Sequence, residues 1–492
     1  MLAVCEQIIE AHGEDVAALL DVGALLLNFG FLTRARECFE RVRELEPDDL
    51  RPVVNLANLA RDAGHHAESR RLYAALLERL PDHPVIRRNA LVSLEYDPEV
   101  SDAARLEQAK AWGAWAMKRA GGMRPRAAIS PPSDRPLRVG YVSSDFCQHT
   151  VGLFVKDVLA AHDRERFEVF AYSAGQVQDR VTASIRQSCR FRDVSALDDA
   201  ALAAQIRHDA IDVLVDLSGH TAGSRLTVFA HRPAPVQASW LGYFATTGLP
   251  VMAAVLLDDW HAPAGMEAQF TEKIVRLPGG RFCYTPVPFA LEVAPLPGVA
   301  RGYVTFGCFN NTAKLNPAVF ELWARLLQAV PNTRLVLKWR TFHDAGFCQS
   351  VREAFVRLGI APERVELRGA SFHADLLAQY ADIDIALDPF PFTGGLTSCE
   401  ALWMGVPVVT WPQSRVVSRQ TFALLSAIGL PELAATDAED YVRIAVELAG
   451  DAERLKEMRV GLRARMRDSV LCDVAGATRH LEHTLFDLAR QA

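Results

Sequence analysis

No Cys-x-x-Cys pair and no cysteine–histidine cluster occurs in these 492 residues. The nine cysteines are odd in number and widely scattered, which argues against a disulfide framework and against structural zinc. A global basic field is missing too: 53 Lys and Arg stand against 60 Asp and Glu, a net charge of −7. Nothing global therefore attracts nucleic acid or anionic lipid, and an anionic ligand needs a local site. No apolar run approaches the ~20 residues of a membrane span. The opening MLAVCEQIIEAHGEDV carries acidic groups where a secretion signal needs a basic segment and an apolar core. These absences predict a cytoplasmic, soluble protein with no metal site. Disorder is excluded as well, because half the residues are hydrophobic and 23% are charged.

What is present begins with a repeat. Gly23 and Ala57, Gly30 and Gly64, Ala35 and Ser69, Phe39 and Tyr73, and Pro47 and Pro81 all stand 34 residues apart, the period of tetratricopeptide repeats. Small residues let the two helices of a repeat approach, the glycines turn the chain, and the aromatic fills the gap to the next unit. Two repeats fall short of the three or more that a free-standing array needs, so these should lean on the rest of the chain. His65 and His66 fall at a repeat turn, where solvated histidines are expected. A third helical stretch from His83 to about Lys118 contains the helix stop Tyr96-Asp97-Pro98 and reads as a connector.

GGMRPRAAISPPSDRP, residues 121–136, marks a linker. Beyond it strands alternate with helices: LRVGYVSS, FEVFAYS, DVLVDLSG, PVQASWL, AAVLLDD and KIVRLPG, then, after a proline-rich segment, YVTFGCF, TRLVLKW, RVELRG, IDIALD and PVVTW. Continuous apolar strands suit parallel sheets covered on both faces. The fold class is α/β preceded by an all-α repeat. Repeat and connector helices span 1–120, one alternating domain 137–290, a second 302–475, and a closing helix 476–492. Two such domains suggest a cleft, with ligands beyond the carboxyl ends of the strands.

Three segments sit at such ends. In VSSDFCQHTVG, Asp145 and His149 precede a helix and can exchange protons or hydrogen-bond a sugar or phosphate, although a helix cap gives the same pattern. In CFNNTAKLNP, Asn310, Asn311 and Lys314 follow a strand, and the ammonium can neutralise a departing diphosphate. In IALDPFPFTGGLTSCEALWMGVPVV, Gly394 and Gly395 allow close backbone approach, while the helix start at Leu396, Thr397 and Ser398 makes an anion site and Glu400 can accept ribose hydroxyls. No G-K-[ST] stands after these glycines, so this is not a nucleotide triphosphate loop. Asp258-Asp259 and Asp382, Asp384 and Asp388 could be taken for metal ligands, but the latter alternate along a strand. His220, after another strand, is a plausible cleft residue.

LRVGYVSSDFCQH, FAHRPAPVQASWLGYFATTG, FNNTAKLNP and DPFPFTGGLTSCEALWMGVPVV stand in the order found in the O-GlcNAc transferase and SPINDLY-like glycosyltransferases, and from about Pro136 onward the chain resembles the bacterial members of that family. The resemblance implies a GT-B fold of two Rossmann-like domains, the first on the acceptor side and the second on the nucleotide-sugar side. It also implies inverting, metal-independent transfer with no cofactor beyond the nucleotide-sugar donor. By the same resemblance His149 and Asp145 serve the reacting end and Lys314 holds the diphosphate. Leu241 and Gly242 line the sugar, Asn311 replaces a glutamine of the animal enzymes, Thr397 meets the phosphates and Glu400 the ribose.

Leu376 stands where many relatives carry a histidine beside the base, His373 aligns near a lysine, and Gly395-Leu396 replace a His-Thr pair. The implied donor is UDP-GlcNAc and the implied acceptor a protein Ser or Thr, docked through the repeats. GDP-fucose is the alternative donor. A glycan or an Asn side chain is the alternative acceptor, and an inactive repeat-based adaptor the alternative class.

Overall fold

The computed structural model describes residues 1–125 and 135–491, so most of the expected linker, 126–134, lies outside the described residues. Two helix pairs, Val16–Phe29 with Leu32–Leu45 and Arg51–Asp62 with His66–Arg79, stand at the spacing read from the sequence. Their glycines act as expected. Gly30 and Gly64 take φ of 88° and 80°, the left-handed geometry that ends a helix cheaply only with glycine. A Cβ on Gly23 would come within 2.6 Å of the Phe39 ring, and the Ser69 hydroxyl donates to the Ala57 carbonyl at 2.9 Å, so both crossings are close-packed. Of the two turn histidines, His65 is exposed as expected, whereas His66 is buried and stacks on Tyr96, because its side of the turn is covered by protein rather than water.

The described chain forms two compact units, neither continuous in sequence. One comprises Met1–Glu99, Val287–Gln413 and Pro431–Arg463; the other Val100–Pro286, Ser414–Leu430 and Ala464–Ala492. These units cut across spans drawn along the chain, and the reason is burial. Within the first, the repeats are tied to the second alternating domain where Asp344 accepts from both the amide and the hydroxyl of Thr33 at 2.7 Å. Within the second, the last helix, Val474–Arg490, returns to the first alternating domain, where Glu482 meets His162 at 3.0 Å and Phe486 packs edge-on against Phe167.

The second unit holds a seven-stranded parallel sheet, ordered β3-β2-β1-β4-β5-β6-β7, from β1 (Leu137–Ser143), β2 (Phe167–Ser173), β3 (Arg190–Asp193), β4 (Val213–Asp216), β5 (Val236–Trp240), β6 (Ala254–Leu257) and β7 (Lys273–Arg276). β3 escapes a reading for apolar runs because its RFRD is a polar edge strand. The first unit holds a parallel sheet ordered β10-β9-β8-β11-β12, from β8 (Val304–Cys308), β9 (Thr333–Lys338), β10 (Val365–Arg368), β11 (Ile385–Leu387) and β12 (Val408–Val409). In each sheet the winding reverses once, between β1 and β4 and between β8 and β11, and the loops leaving those strands open the crevice where α/β sheets bind ligands. None of the nine cysteines is in a disulfide, and no helix among the described residues is long and apolar enough to cross a membrane.

The helix Asp102–Arg119 seats Gly113 directly on the Gly248 carbonyl, with no room for a Cβ. Gly113→Ala should cost about 1–3 kcal/mol, measured by urea unfolding; an unchanged midpoint would show that the helix is not held by this contact.

Candidate functional site

In the first unit, the loop after β8 and the loop after β11 converge on Lys314. Asn311 caps a single 3₁₀ turn, Thr312–Lys314, by accepting from the Ala313 amide at 3.0 Å. The turn points the Lys314 ammonium at two neutral oxygens, Asn310 Oδ1 at 3.0 Å and the Thr393 carbonyl at 2.8 Å, and over the Phe392 ring at 4.5 Å from its centroid. Desolvation pushes the Lys314 pKa down to about 8, against the pull of Asp388. That carboxylate is engaged elsewhere, accepting from the Gly394 amide at 2.6 Å and the Thr410 hydroxyl at 2.7 Å. Among the described residues no carboxylate therefore pairs directly with Lys314, and Asp388 acts on it only through its field.

The glycine turn comes next along the chain. A Cβ on Gly394 would displace the Ser398 hydroxyl and crowd Asp388, so the turn packs closely on the helix that follows. The helix Leu396–Trp403 then starts, its Ser398 and Cys399 amides both donating to the Gly395 carbonyl at 3.1 Å. The Tyr380 hydroxyl donates to the Thr397 carbonyl at 3.2 Å and fixes that turn. Glu400 is buried and meets His373 Nε2 at 2.5 Å, with His373 packed edge-on against Phe289. Lys314, Asn311, His373, Gly394, Gly395, Leu396, Thr397, Ser398 and Glu400 thus lie in one unit, on the loops and helix starts that follow its strands. Asn310, Asp388, Phe392 and Thr393 are the residues whose roles the pattern alone does not assign, although DPFPFTGG contains three of them.

In the second unit, the loop after β1 holds Asp145 and the one after β5 holds Leu241 and Gly242. Asp145 Oδ1 lies 3.8 Å from His149 Nδ1 and accepts from the Ser144 hydroxyl at 3.2 Å. Burial raises the Asp145 pKa, opposed by His149. His149 caps the helix Thr150–Ala161, its Nδ1 accepting from the Val151 amide at 3.4 Å, so the capping role and an exposed imidazole coexist. Leu241 takes a φ of 65°, a strained value for a branched residue. Arg281 holds it there, donating to the Leu241 carbonyl at 2.7 Å and to the Tyr243 carbonyl. Glycine at 242 is obligatory, because a Cβ would run into the Leu217 carbonyl. His220 is buried behind this turn, its Nε2 against the Thr247 carbonyl at 2.9 Å and its ring edge-on to Trp112 and Tyr243.

The acidic pairs have other occupations. Asp258 binds His261 at 2.8 Å, Asp384 accepts from the Thr305 and Gly298 amides at 2.8 Å, and Asp382 pairs with Arg301 and Arg368.

The model of glycosyl transferase family 41 matches residues 124–284 and 295–481. A probable UDP-N-acetylglucosamine–peptide N-acetylglucosaminyltransferase SPINDLY from Petunia hybrida is 38% identical over 421 residues, 84% of this chain and 45% of that protein. The corresponding SEC protein of Arabidopsis thaliana is 30% identical over 366 residues, 72% of this chain and 37% of that one. The chain thus spans less than half the length of these curated relatives. A solved lysine-to-methionine mutant of the O-GlcNAc transferase of Thermobaculum terrenum superimposes with a TM-score of 0.93 at 35% identity, covering 99% of this chain and 93% of that one. The fold is accordingly the GT-B type with an N-terminal helical repeat region.

Because Lys314 carries its proton fully only below about pH 8, binding of inorganic pyrophosphate should weaken as pH rises through that value, by up to tenfold per unit. Titration calorimetry from pH 7 to 9.5 checks this; affinity flat across the range would remove Lys314 from the anion site.

Proposed function

We propose that this chain, which belongs to glycosyl transferase family 41, is an inverting glycosyltransferase that moves GlcNAc from UDP-GlcNAc to a Ser or Thr hydroxyl of a protein. The observation that carries the reading is the desolvated Lys314 ammonium beside a glycine turn and a helix N-terminus. In the proposed reaction the acceptor oxygen bonds to the anomeric carbon as the bond from that carbon to the diphosphate oxygen breaks, and the electron pair leaves with UDP. Lys314 and the amides of the first helical turn at Thr397 stabilise that growing charge without a metal, which is preorganised electrostatic catalysis. Asn310 and Thr393 orient the ammonium rather than compete for it. Glu400 would receive the ribose hydroxyls, with His373 steering its carboxylate.

The acceptor's proton is assigned to Asp145, whose burial raises its affinity for a proton, with His149 beside it. Leu241 and Gly242 would border the sugar, the left-handed turn bringing bare backbone forward. A second reading keeps the chemistry and changes the donor to GDP-fucose. It is favoured by Leu376 and by Gly395-Leu396, which depart from the residues of the animal enzymes around the base and phosphates.

Melting temperature with UDP, UDP-GlcNAc, GDP and GDP-fucose, with and without EDTA, separates these readings, because ligands that bind only the native state raise it. A UDP-selective rise that survives EDTA is expected; a GDP-selective rise would transfer the chain to the fucosyl reading, and no rise with any of them would favour an inactive adaptor. Lys314→Met should lower turnover by roughly 10²–10³-fold with the melting temperature retained, and near-normal turnover would defeat the assignment.

A further inference from the structure

The repeat side of the chain touches the lysine's surroundings from two directions, and both contacts lie inside the first compact unit. From behind, the turn between the helices Arg51–Asp62 and His66–Arg79 backs the Lys314 turn: the Thr312 hydroxyl donates to the Asp62 carbonyl at 2.8 Å, and Gly64 abuts the Leu315 carbonyl so closely that no Cβ fits. From the side, Tyr96 stacks on Phe392 with ring centroids 4.5 Å apart and planes 28° from parallel. Phe392 is the ring that carries the Lys314 ammonium on its other contact, again at 4.5 Å. His66 stacks behind Tyr96 at 6.3 Å, completing a row of His66, Tyr96, Phe392 and Lys314.

We propose that Tyr96 is a positioning residue for Lys314: by pressing Phe392 against the lysine it keeps water from the ammonium, so that the connector, backed by the repeats, forms a wall of the diphosphate site. The proposal rests on Lys314 being the diphosphate lysine. Its physical cause is desolvation, since an ammonium sheltered by an aromatic face and held by neutral oxygens is bound less tightly to its proton than one in water, and gives a stronger interaction to an arriving anion. A flat ring is required, because only a stacked face keeps Phe392 at its present angle.

The charges around the row do not explain the shelter. Lys314 is faced by Asp388 and Cys308 from the sheet side, both of which raise its pKa rather than lower it. Tyr96 is faced by Arg61, Asp62 and Glu95, and burial lifts its own phenol, which stays protonated. His66 is faced by Asp97, Arg61 and His65, and burial pushes its pKa down to about 4, so it is neutral at any pH where the lysine titrates.

The test is the pH dependence of acetylation at Lys314, read by peptide mass spectrometry in the full chain and in the variants Tyr96→Phe, Tyr96→Leu and Tyr96→Ala. It needs no donor and no turnover. Wild type and Tyr96→Phe should inflect near pH 8, and Tyr96→Ala about one unit higher as water enters. Tyr96→Leu, which keeps bulk without the flat face, should shift in the same direction by less. An inflection unchanged in both Ala and Leu variants, with circular dichroism showing native protein, would overturn the proposal, as would a shift in Tyr96→Phe equal to that in Tyr96→Ala. Pyrophosphate affinity at pH 6.5, where the lysine is charged in every variant, should be about two- to threefold lower in Tyr96→Ala than in wild type, because water then screens the ammonium; an unchanged or higher affinity at that pH would contradict the role given to the shelter. If the glycosyl-transfer reading fails instead, no donor is turned over by any variant while the acetylation shift persists.

Discussion

A half-buried ammonium group, hydrogen-bonded among the described residues to neutral oxygens alone, is the constraint around which the first unit is organised. Burying a charge is costly unless it is hydrogen-bonded, and the chain meets that cost with Asn310 Oδ1, the Thr393 carbonyl and the face of Phe392. A contacting carboxylate would hold the lysine more firmly but would also cancel the charge. Asp388, whose charge acts on the lysine, is tied to the Gly394 amide and the Thr410 hydroxyl, so the same carboxylate shapes the glycine turn. One aspartate thereby links backbone geometry to electrostatics.

The placement of the repeats has the same origin. Two helix pairs are too few to stand alone, and Asp344, Thr312 and Leu315 receive them along the alternating domain that carries Lys314. In the second unit a different device appears: a left-handed Leu241, a glycine that no other residue can replace, and Arg281 bonded across both carbonyls. There the strain is local and the arginine compensates it, leaving bare backbone where side chains would otherwise stand.

Much of this is legible in the chain. The strands are readable because parallel sheets buried on both faces write long apolar runs, and β3 escapes because an edge strand need not. The repeat is readable because close helix crossings demand small residues at a fixed period. Lys314, the glycine turn and Asp145 stand out as polar or turn residues directly after strands. What the pattern does not carry is which partner each group meets in space. Nothing in Tyr96-Asp97-Pro98 announces a stack on Phe392, nothing in a turn histidine announces burial, and Arg281 reads as an ordinary basic residue until its two carbonyls are seen. The grouping of residues 1–99 with 287–413 is likewise a matter of surface burial between segments far apart in sequence.

The central claim is that desolvation loosens the Lys314 proton in the free protein and that an arriving diphosphate tightens it again. Isothermal titration of UDP at pH 8 in buffers of different ionisation enthalpy measures the protons taken up on binding. The expected result is an uptake of about half a proton by the wild type and almost none by Lys314→Met. Uptake that is absent in the wild type, or unchanged in the variant, would contradict the claim.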